Sequence, residues 1–546
     1  MKKLVFILIF YLCFSNVLTS QVVQEWVARY NGPVNGQDYA YAMAIDSAGN
    51  VYVTGQAKFA GDGGDITTIK YNSDGAQLWS ASYNGPGNYL DKGNGIVVDK
   101  LGNVYVTGKS SLSALKSEYI TVKYNSIGIQ KWIRFYGQNG NHTDQAHSIA
   151  LDYLGNVYIT GESDGIGSQQ DFVTIKYDSS GVLQWMQRYA GPGNSYDIAM
   201  VLKLDSMGNV YITGESVGSG SSSDYTTIKY NTNGIQLWVQ RYNGPGNSND
   251  KPNDLAVDFS GNAYVTGSSY ATTSFESQDY ATVKYDSNGV QQWVQRYNGF
   301  GNNIDISNAI AVDLSGNVLI TGASTGSSGL PDYVTIKYNS NGVQQWEQRY
   351  SGPGPQQGTD IAYSIAVDLE GGVYVTGESD DGNSETDYAT IKYNSSGVQQ
   401  WIVMFNAGNG LVGGKYITTN PIGNVYVCGA CALPGTSTDY CTIKYSQMVG
   451  ITAVSNELPD NFFLSQNYPN PFNPQTKIKF DVPKASFTSL IIYDLLGREV
   501  TTLVNEVLKP GTYEADWDGS NYSSGVYFYK IITESFVETK KMVLMK

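Results

Sequence analysis

A string close to "SGNVYVTG" recurs eight times along the chain, ending on Gly55, Gly108, Gly161, Gly214, Gly267, Gly322, Gly377 and Gly429. The intervals are 53, 53, 53, 53, 55, 55 and 52 residues. So regular a period means one supersecondary unit stacked against copies of itself. Each unit reads as four short strands with apolar residues at every second position. In the seventh unit they are "SIAVD", "GVYVTG", "DYATIKYN" and "VQQWIVMF", termed A to D. A helical period of 3.6 is absent, and a β-helix would use a much shorter coil. Four antiparallel strands in each of eight units predict a β-propeller with eight blades.

The hairpin turns repeat as strictly as the strands. A passes to B through "DSAGN" (46–50) and its relatives, and C to D through "NSSGV" (394–398) and its relatives. Asp or Asn first and Gly fourth suit a type I turn closed by a glycine at positive φ. Every length change falls in the B–C and D–A loops. The hairpin turns share one face of an up-and-down blade and the variable loops share the other, where binding sites are favoured.

The last unit lacks its D strand: no tryptophan follows Lys444 until Trp517. Its counterpart stands at the other end of the chain, where "QEWVARY" (24–30) matches "QQWVQRY" (291–297). An open solenoid needs caps, whereas a ring completes its last blade with a strand from the other terminus. Residues 21–446 resemble tandem copies of the bacterial SBBP β-propeller repeat, itself similar to pyrroloquinoline-quinone-type repeats. Quinone binding does not carry over, because such repeats also build non-enzymatic scaffolds.

Lys2 and Lys3 followed by the apolar run 4–14 and small or polar residues to Ser20 form a signal peptide over residues 1–20. Leu12 before Cys13 does not fit a lipoprotein signal. No other run is long enough to span a bilayer. The net charge of −15 excludes nucleic acid as a partner, since nothing would neutralise phosphates. Three cysteines remain after cleavage: Cys428, Cys431 and Cys441. A Cys428–Cys441 disulfide and packing of free thiols are both open, and no histidine lies near enough to complete a zinc site.

The repeat stops near residue 447. Residues 447–457 read as a linker, and 458–546 as a small immunoglobulin-like β-sandwich of alternating strands. This tail carries Asn467-Tyr468-Pro469-Asn470-Pro471-Phe472-Asn473-Pro474, Tyr493-Asp494 with Gly497, Trp517-Asp518-Gly519, Ser524-Gly525-Val526-Tyr527 and Lys540-Lys541-Met542. With those residues it resembles the type A C-terminal sorting domain of the type IX secretion system. The resemblance implies secretion to the outer surface of a Gram-negative bacterium, with the type IX machinery as partner.

Lysines that end every C strand (Lys70 to Lys444) and acids that open them recur in all units, so they are structural and mark no single site. A ring of acids is more informative. Asp38, Asp91, Asp144, Asp197, Asp250, Asp305 and Asp360 stand eight residues before the A–B turn, where strand A enters from the long-loop face. Val412 breaks the ring. Each aspartate is expected to cap its own loop, or together they form an acidic funnel for a cationic ligand at the channel mouth. His142 and His147 flank Asp144, and His147 occupies a place that differs from unit to unit. No catalytic or metal-ligating set is assigned, and no cofactor is expected. Calcium remains open, because 379–387 alternates oxygen-bearing residues without a full loop motif.

These features predict a monomeric exported propeller that binds an extracellular glycan, protein or surface ligand through its long-loop face. The alternative is a polysaccharide-degrading hydrolase or lyase with its site at the channel mouth. Near-uniform loops favour binding, because an active site ordinarily shows as long insertions in one or two blades.

Overall fold

The computed structural model describes residues 22–546 apart from 60–62, 138–142, 166–168, 273–276, 354–357, 381–385, 407–412, 421–422, 433–436, 448–450, 456–458, 509 and 520–521. Residues 1–20, expected to be a signal peptide, His142, Val412 and the centre of the 379–387 stretch lie outside the described residues. Among these residues every regular element is a strand, except one 3₁₀ turn at Phe300–Asn302. The chain divides into two units, Gln24–Ser446 and a second of Gln447–Lys546 together with Met1–Val23.

The first of these holds eight four-stranded antiparallel sheets, each in the order A-B-C-D. In the first repeat A is Tyr39–Ile45, B is Val51–Ala57, C is Asp65–Tyr71 and D is Gln77–Tyr83. In the eighth, A is Gly413–Thr419, B is Val425–Ala432 and C is Thr438–Gln447, and the fourth place is taken by Val22–Tyr30. B and C are buried because neighbouring sheets sandwich them; D alternates exposed and half-buried residues at the rim. The turn glycines carry the expected positive φ, among them Gly49 (79°) and Gly75 (82°).

Each sheet is fastened to the next by one device. The tryptophan of strand D and the lysine of strand C donate to the same carbonyl in the following C–D turn. Trp79 Nε1 and Lys70 Nζ reach Ser126 O at 3.1 and 3.3 Å, and Trp185 Nε1 and Lys176 Nζ reach Thr232 O, both at 3.0 Å. The ammonium also sits over a B-strand tyrosine ring, as Lys229 does 4.7 Å from the centroid of Tyr211. The turn glycine must be bare, since a Cβ on Gly75 would lie 2.6 Å from the Trp26 ring. Trp26 of the N-terminal strand makes the same bond to Ser73 O at 2.9 Å, joined there by Lys444 Nζ at 3.2 Å. The succession of junctions therefore returns from the eighth sheet to the first.

One junction departs from this rule. The eighth sheet takes its fourth strand from the N-terminus and so has no C–D turn. Trp401 of the seventh sheet, whose indole would use that turn, has its buried Nε1 without a hydrogen-bond partner among the described residues. In the middle units the acid opening strand C is paired to an arginine of strand D, as in Asp224–Arg241 at 2.9 Å and Asp279–Arg296 at 2.8 Å.

Of the two alternatives open for the cysteines, the structure has free thiols. Cys428 is in register with Thr442, and Cys441 with Gly429, so Cys428 and Cys441 point to opposite faces of the sheet. All three cysteines are free and buried.

The second unit has two four-stranded sheets whose inner faces share one core, including Phe472, Phe480, Leu490, Trp517, Tyr529 and Met542. The stretch expected to be a linker contains a strand, Ile451–Ser455, paired antiparallel with Gly511–Asp518. Asn467 is buried, takes its backbone N–H to Tyr529 Oη at 2.8 Å and donates Nδ2 to Thr476 Oγ1 at 2.9 Å. The quoted Asn-Tyr-Pro segment is thus anchored to the core at its first residue, while Tyr468 beside it is exposed.

Candidate functional site

The glycine that defines the repeat also shapes a cavity. Gly55 faces Ala40 across the A–B pair, and a Cβ on it would overlap the carbonyl oxygen of Tyr39. The same holds at Gly108, Gly161, Gly214, Gly267, Gly322, Gly377 and Gly429. Strand A presses so closely because it carries a β-bulge there: the register skips one residue between Ala40 and Ala42. A bulge leaves its extra residue unpaired and re-aims the side chain. All eight A strands skip at the equivalent place, giving Tyr41, Asn94, His147, Met200, Asn253, Asn308, Tyr363 and Lys415.

These eight side chains line one central cavity of about 840 Å³ between the A strands. Strand B holds several of them from behind, through the residue that follows the repeat glycine in units one, three and seven. Tyr363 Oη donates to Glu378 Oε1 at 2.7 Å, and Lys415 Nζ approaches Glu378 Oε2 at 3.4 Å while lying 3.3 Å from the centroid of the Tyr363 ring. His147 Nε2 meets Glu162 Oε2. Tyr41 stacks on Tyr39 at 6.2 Å. Three asparagines are spent on the frame: Asn94, Asn253 and Asn308 donate to the bulge carbonyls of the next unit at 2.8–2.9 Å.

The cavity is thereby two-sided. Units seven, eight and one present Tyr363, Lys415, Tyr416 and Tyr41; the opposite units present His147, Met200 and the Lys203–Asp254 neighbourhood. Burial pushes the Asp254 carboxyl up, opposed by Lys203. It lowers the Lys415 ammonium, against the pull of Glu378, and raises Tyr41 to about 12. The wall thus offers aromatic faces, an ammonium and an imidazole–carboxylate couple within one enclosure.

The seven aspartates lie elsewhere. All are fully buried, and none lines the cavity. Asp38 accepts from Gly32 N at 2.5 Å and Lys58 N at 2.6 Å; Asp91 accepts from Gly85 N at 2.6 Å and Ser111 N at 2.8 Å. Asp197, Asp250, Asp305 and Asp360 each accept from the matching glycine of their D–A loop, and Asp144 accepts from Asp164 N at 3.0 Å. This is loop capping, with the carboxylates turned into the protein. Burial raises Asp38, Asp197, Asp250 and Asp305, and pushes Asp360 up to about 6. Of the sequence-derived candidates among the described residues, only His147 reaches the cavity. The bulged ring was missed as a set, although its signal was present: a position that varies while its neighbours repeat.

Residues 466–545 match the model of the secretion-system C-terminal sorting domain, and 25–59, 79–111, 131–167, 237–276 and 349–383 match the β-propeller repeat SBBP. The sorting domain marks the chain for secretion to the outer surface of Gram-negative Bacteroidetes. No described helix is long and apolar enough to cross a membrane. An uncharacterized WD repeat-containing protein, L264, of Acanthamoeba polyphaga mimivirus is 23% identical over 67% of this chain, which spans 31% of that relative. PorZ, a surface component of the type IX secretion system of Porphyromonas gingivalis, is 15% identical with a TM-score of 0.40, over 93% of this chain and 66% of PorZ. A PL25 ulvan lyase is 12% identical with a TM-score of 0.37, over 71% of this chain and 96% of its own. Likeness at this level fixes neither ligand nor reaction.

Proposed function

We propose that this chain, which carries SBBP β-propeller repeats and a type IX sorting domain, is an exported eight-bladed propeller that binds a saccharide in its central cavity. In this reading residues 21–446 form the ring, closed by the N-terminal strand, and the immunoglobulin-like tail is its export address. One observation carries the proposal. The repeat holds its framework residues nearly constant, yet the eight bulged positions that meet in the cavity bear five different side-chain types. A purely structural ring would repeat there too.

Saccharides suit that wall. Pyranose C–H faces pack on tyrosine rings, while hydroxyls find the Lys415, His147 and carboxylate partners; about 840 Å³ lies within the usual range for a small-ligand site. The seven buried aspartates serve as loop caps that hold the cavity rim. The test is a glycan array followed by calorimetry on the mature chain, comparing wild type with Tyr363→Ala. Saccharide binding weakened at least about tenfold, the loss of one stacking and hydrogen-bonding group, is expected. No glycan bound by wild type, or binding indifferent to Tyr363, would contradict the reading.

The His147–Glu162 couple supports a second reading, turnover of a polysaccharide with that pair as acid and base. Release of new reducing ends by wild type and not by Glu162→Gln would favour it over binding alone.

A further inference from the structure

Beside the cavity two ammonium groups oppose each other across one sheet. Lys92 of strand A and Lys109 of strand B are direct partners in the register of the second sheet, so their side chains leave the same face. Both are half-buried. Burial, and then the charge of Lys109, lower the Lys92 ammonium. Among the described residues neither lysine forms an ion pair with a carboxylate. Asp91, next in sequence to Lys92, is spent on Gly85 N and Ser111 N at 2.6 and 2.8 Å. Like charges directly opposite in a sheet are destabilising.

The other seven units hold no second example. The same two positions carry at most one cation there. That cation is Lys251 of the fifth unit, and it acts on the Glu215 carboxyl of the fourth. The remaining lysines around the cavity are matched as well, Lys415 by Glu378 and Lys203 by Asp254. Lys92 stands two residues before the bulged Asn94, toward the variable-loop end of strand A. Its Nζ lies 5.5 Å from the centroid of Tyr41, a ring of the cavity wall. The negative face of that ring draws Lys92 to the cavity, and Lys109 stays opposite it without such a partner.

We propose that the saccharide bound in the cavity is acidic, and that Lys92 and Lys109 hold its carboxylate or sulfate ester between them. The inference rests on the saccharide reading and sharpens it. An anionic oxygen between two ammonium groups accepts from both, and charge-assisted bonds of that kind are stronger than neutral ones, the more so at a half-buried site. The same anion offsets the repulsion that the pair carries alone. A neutral sugar does neither.

The test is a glycan array of matched pairs on the mature chain: uronate oligomers beside their methyl esters, and sulfated saccharides beside their desulfated forms. Calorimetry of the tightest binder at low and high salt follows, with Lys92→Gln plus Lys109→Gln as the variant, which shortens the stems little and removes the charge. Acidic members are expected to bind at least about tenfold more tightly than their neutral counterparts, to weaken with salt, and to lose that advantage in the variant. Because the substitution relieves a like-charge pair, the variant should melt no lower than wild type without ligand. A preference for uronate or for sulfate supports the proposal equally and identifies the group held. A variant that melts lower, or one that keeps the preference for acidic members, would overturn it. Binding of neutral members alone would overturn it and leave the saccharide reading standing, whereas no glycan bound at all would remove both.

Discussion

The junctions between sheets and the wall of the central cavity are built from the same repeat under opposite rules. At the junctions the repeat enforces identity: tryptophan, lysine and turn carbonyl meet in the same way from sheet to sheet, and the N-terminal strand is held by the same bonds as any other. At the bulges it enforces only a backbone, and the side chain is free to change. Invariance marks what stability requires, and variation within an invariant frame marks what a ligand could read. Substitutions at the two places should therefore separate: those at junctions and frame glycines cost stability, and those in the ring cost affinity.

The largest stability loss is expected for Trp26→Ala, at about 3 kcal/mol, as a half-buried indole, its hydrogen bond and the closing contact vanish together. Chemical denaturation of the mature chain measures it, and a near-neutral result would mean that the ring does not depend on that strand. Gly214→Ala should follow at about 2–3 kcal/mol, since its Cβ must displace the backbone of strand A at the bulge.

A finer contrast uses the odd junction. Trp346 Nε1 donates to Ser395 O at 3.1 Å, whereas Trp401 Nε1 has no partner among the described residues. Trp346→Phe should cost about 1 kcal/mol more than Trp401→Phe, the net worth of one hydrogen bond. Equal costs would show that the shared carbonyl contributes little.

Smaller still is a pH effect from the caps. Burial lifts the Asp360 carboxyl from 3.8 to about 6, so between those values the folded state holds more protons than the unfolded one. Its stabilising contribution is full below the lower value and is lost as pH rises through the upper. The deficit of Asp360→Asn relative to wild type should therefore be larger near pH 4 than near pH 7, read from melting at each pH. A deficit independent of pH would contradict the burial argument.

Much of this was legible in the sequence because the repeat multiplies each signal eightfold. The period, the glycine turns, the missing D strand and its N-terminal replacement all follow from residues such as Gly75, Trp26 and Lys444. The bulge was not legible. A period-two reading assumes one residue per pleat, and a skipped residue such as His147 looks like any other half-polar position until the register is seen. For Asp144, three residues earlier, the sequence left a loop cap and a channel-mouth group both open, and its carboxylate caps a loop. Strand Ile451–Ser455 was hidden because its partner, Gly511–Asp518, lies some sixty residues downstream, beyond any local pattern.

The most direct test of the account is a calorimetric titration of three mature proteins, wild type, Tyr363→Ala and Trp346→Phe, with the saccharide selected from the array. The account predicts that Tyr363→Ala melts like wild type but binds at least about tenfold more weakly, while Trp346→Phe melts lower and binds like wild type. Binding preserved in Tyr363→Ala, or lost in Trp346→Phe while that protein is still folded, would contradict it.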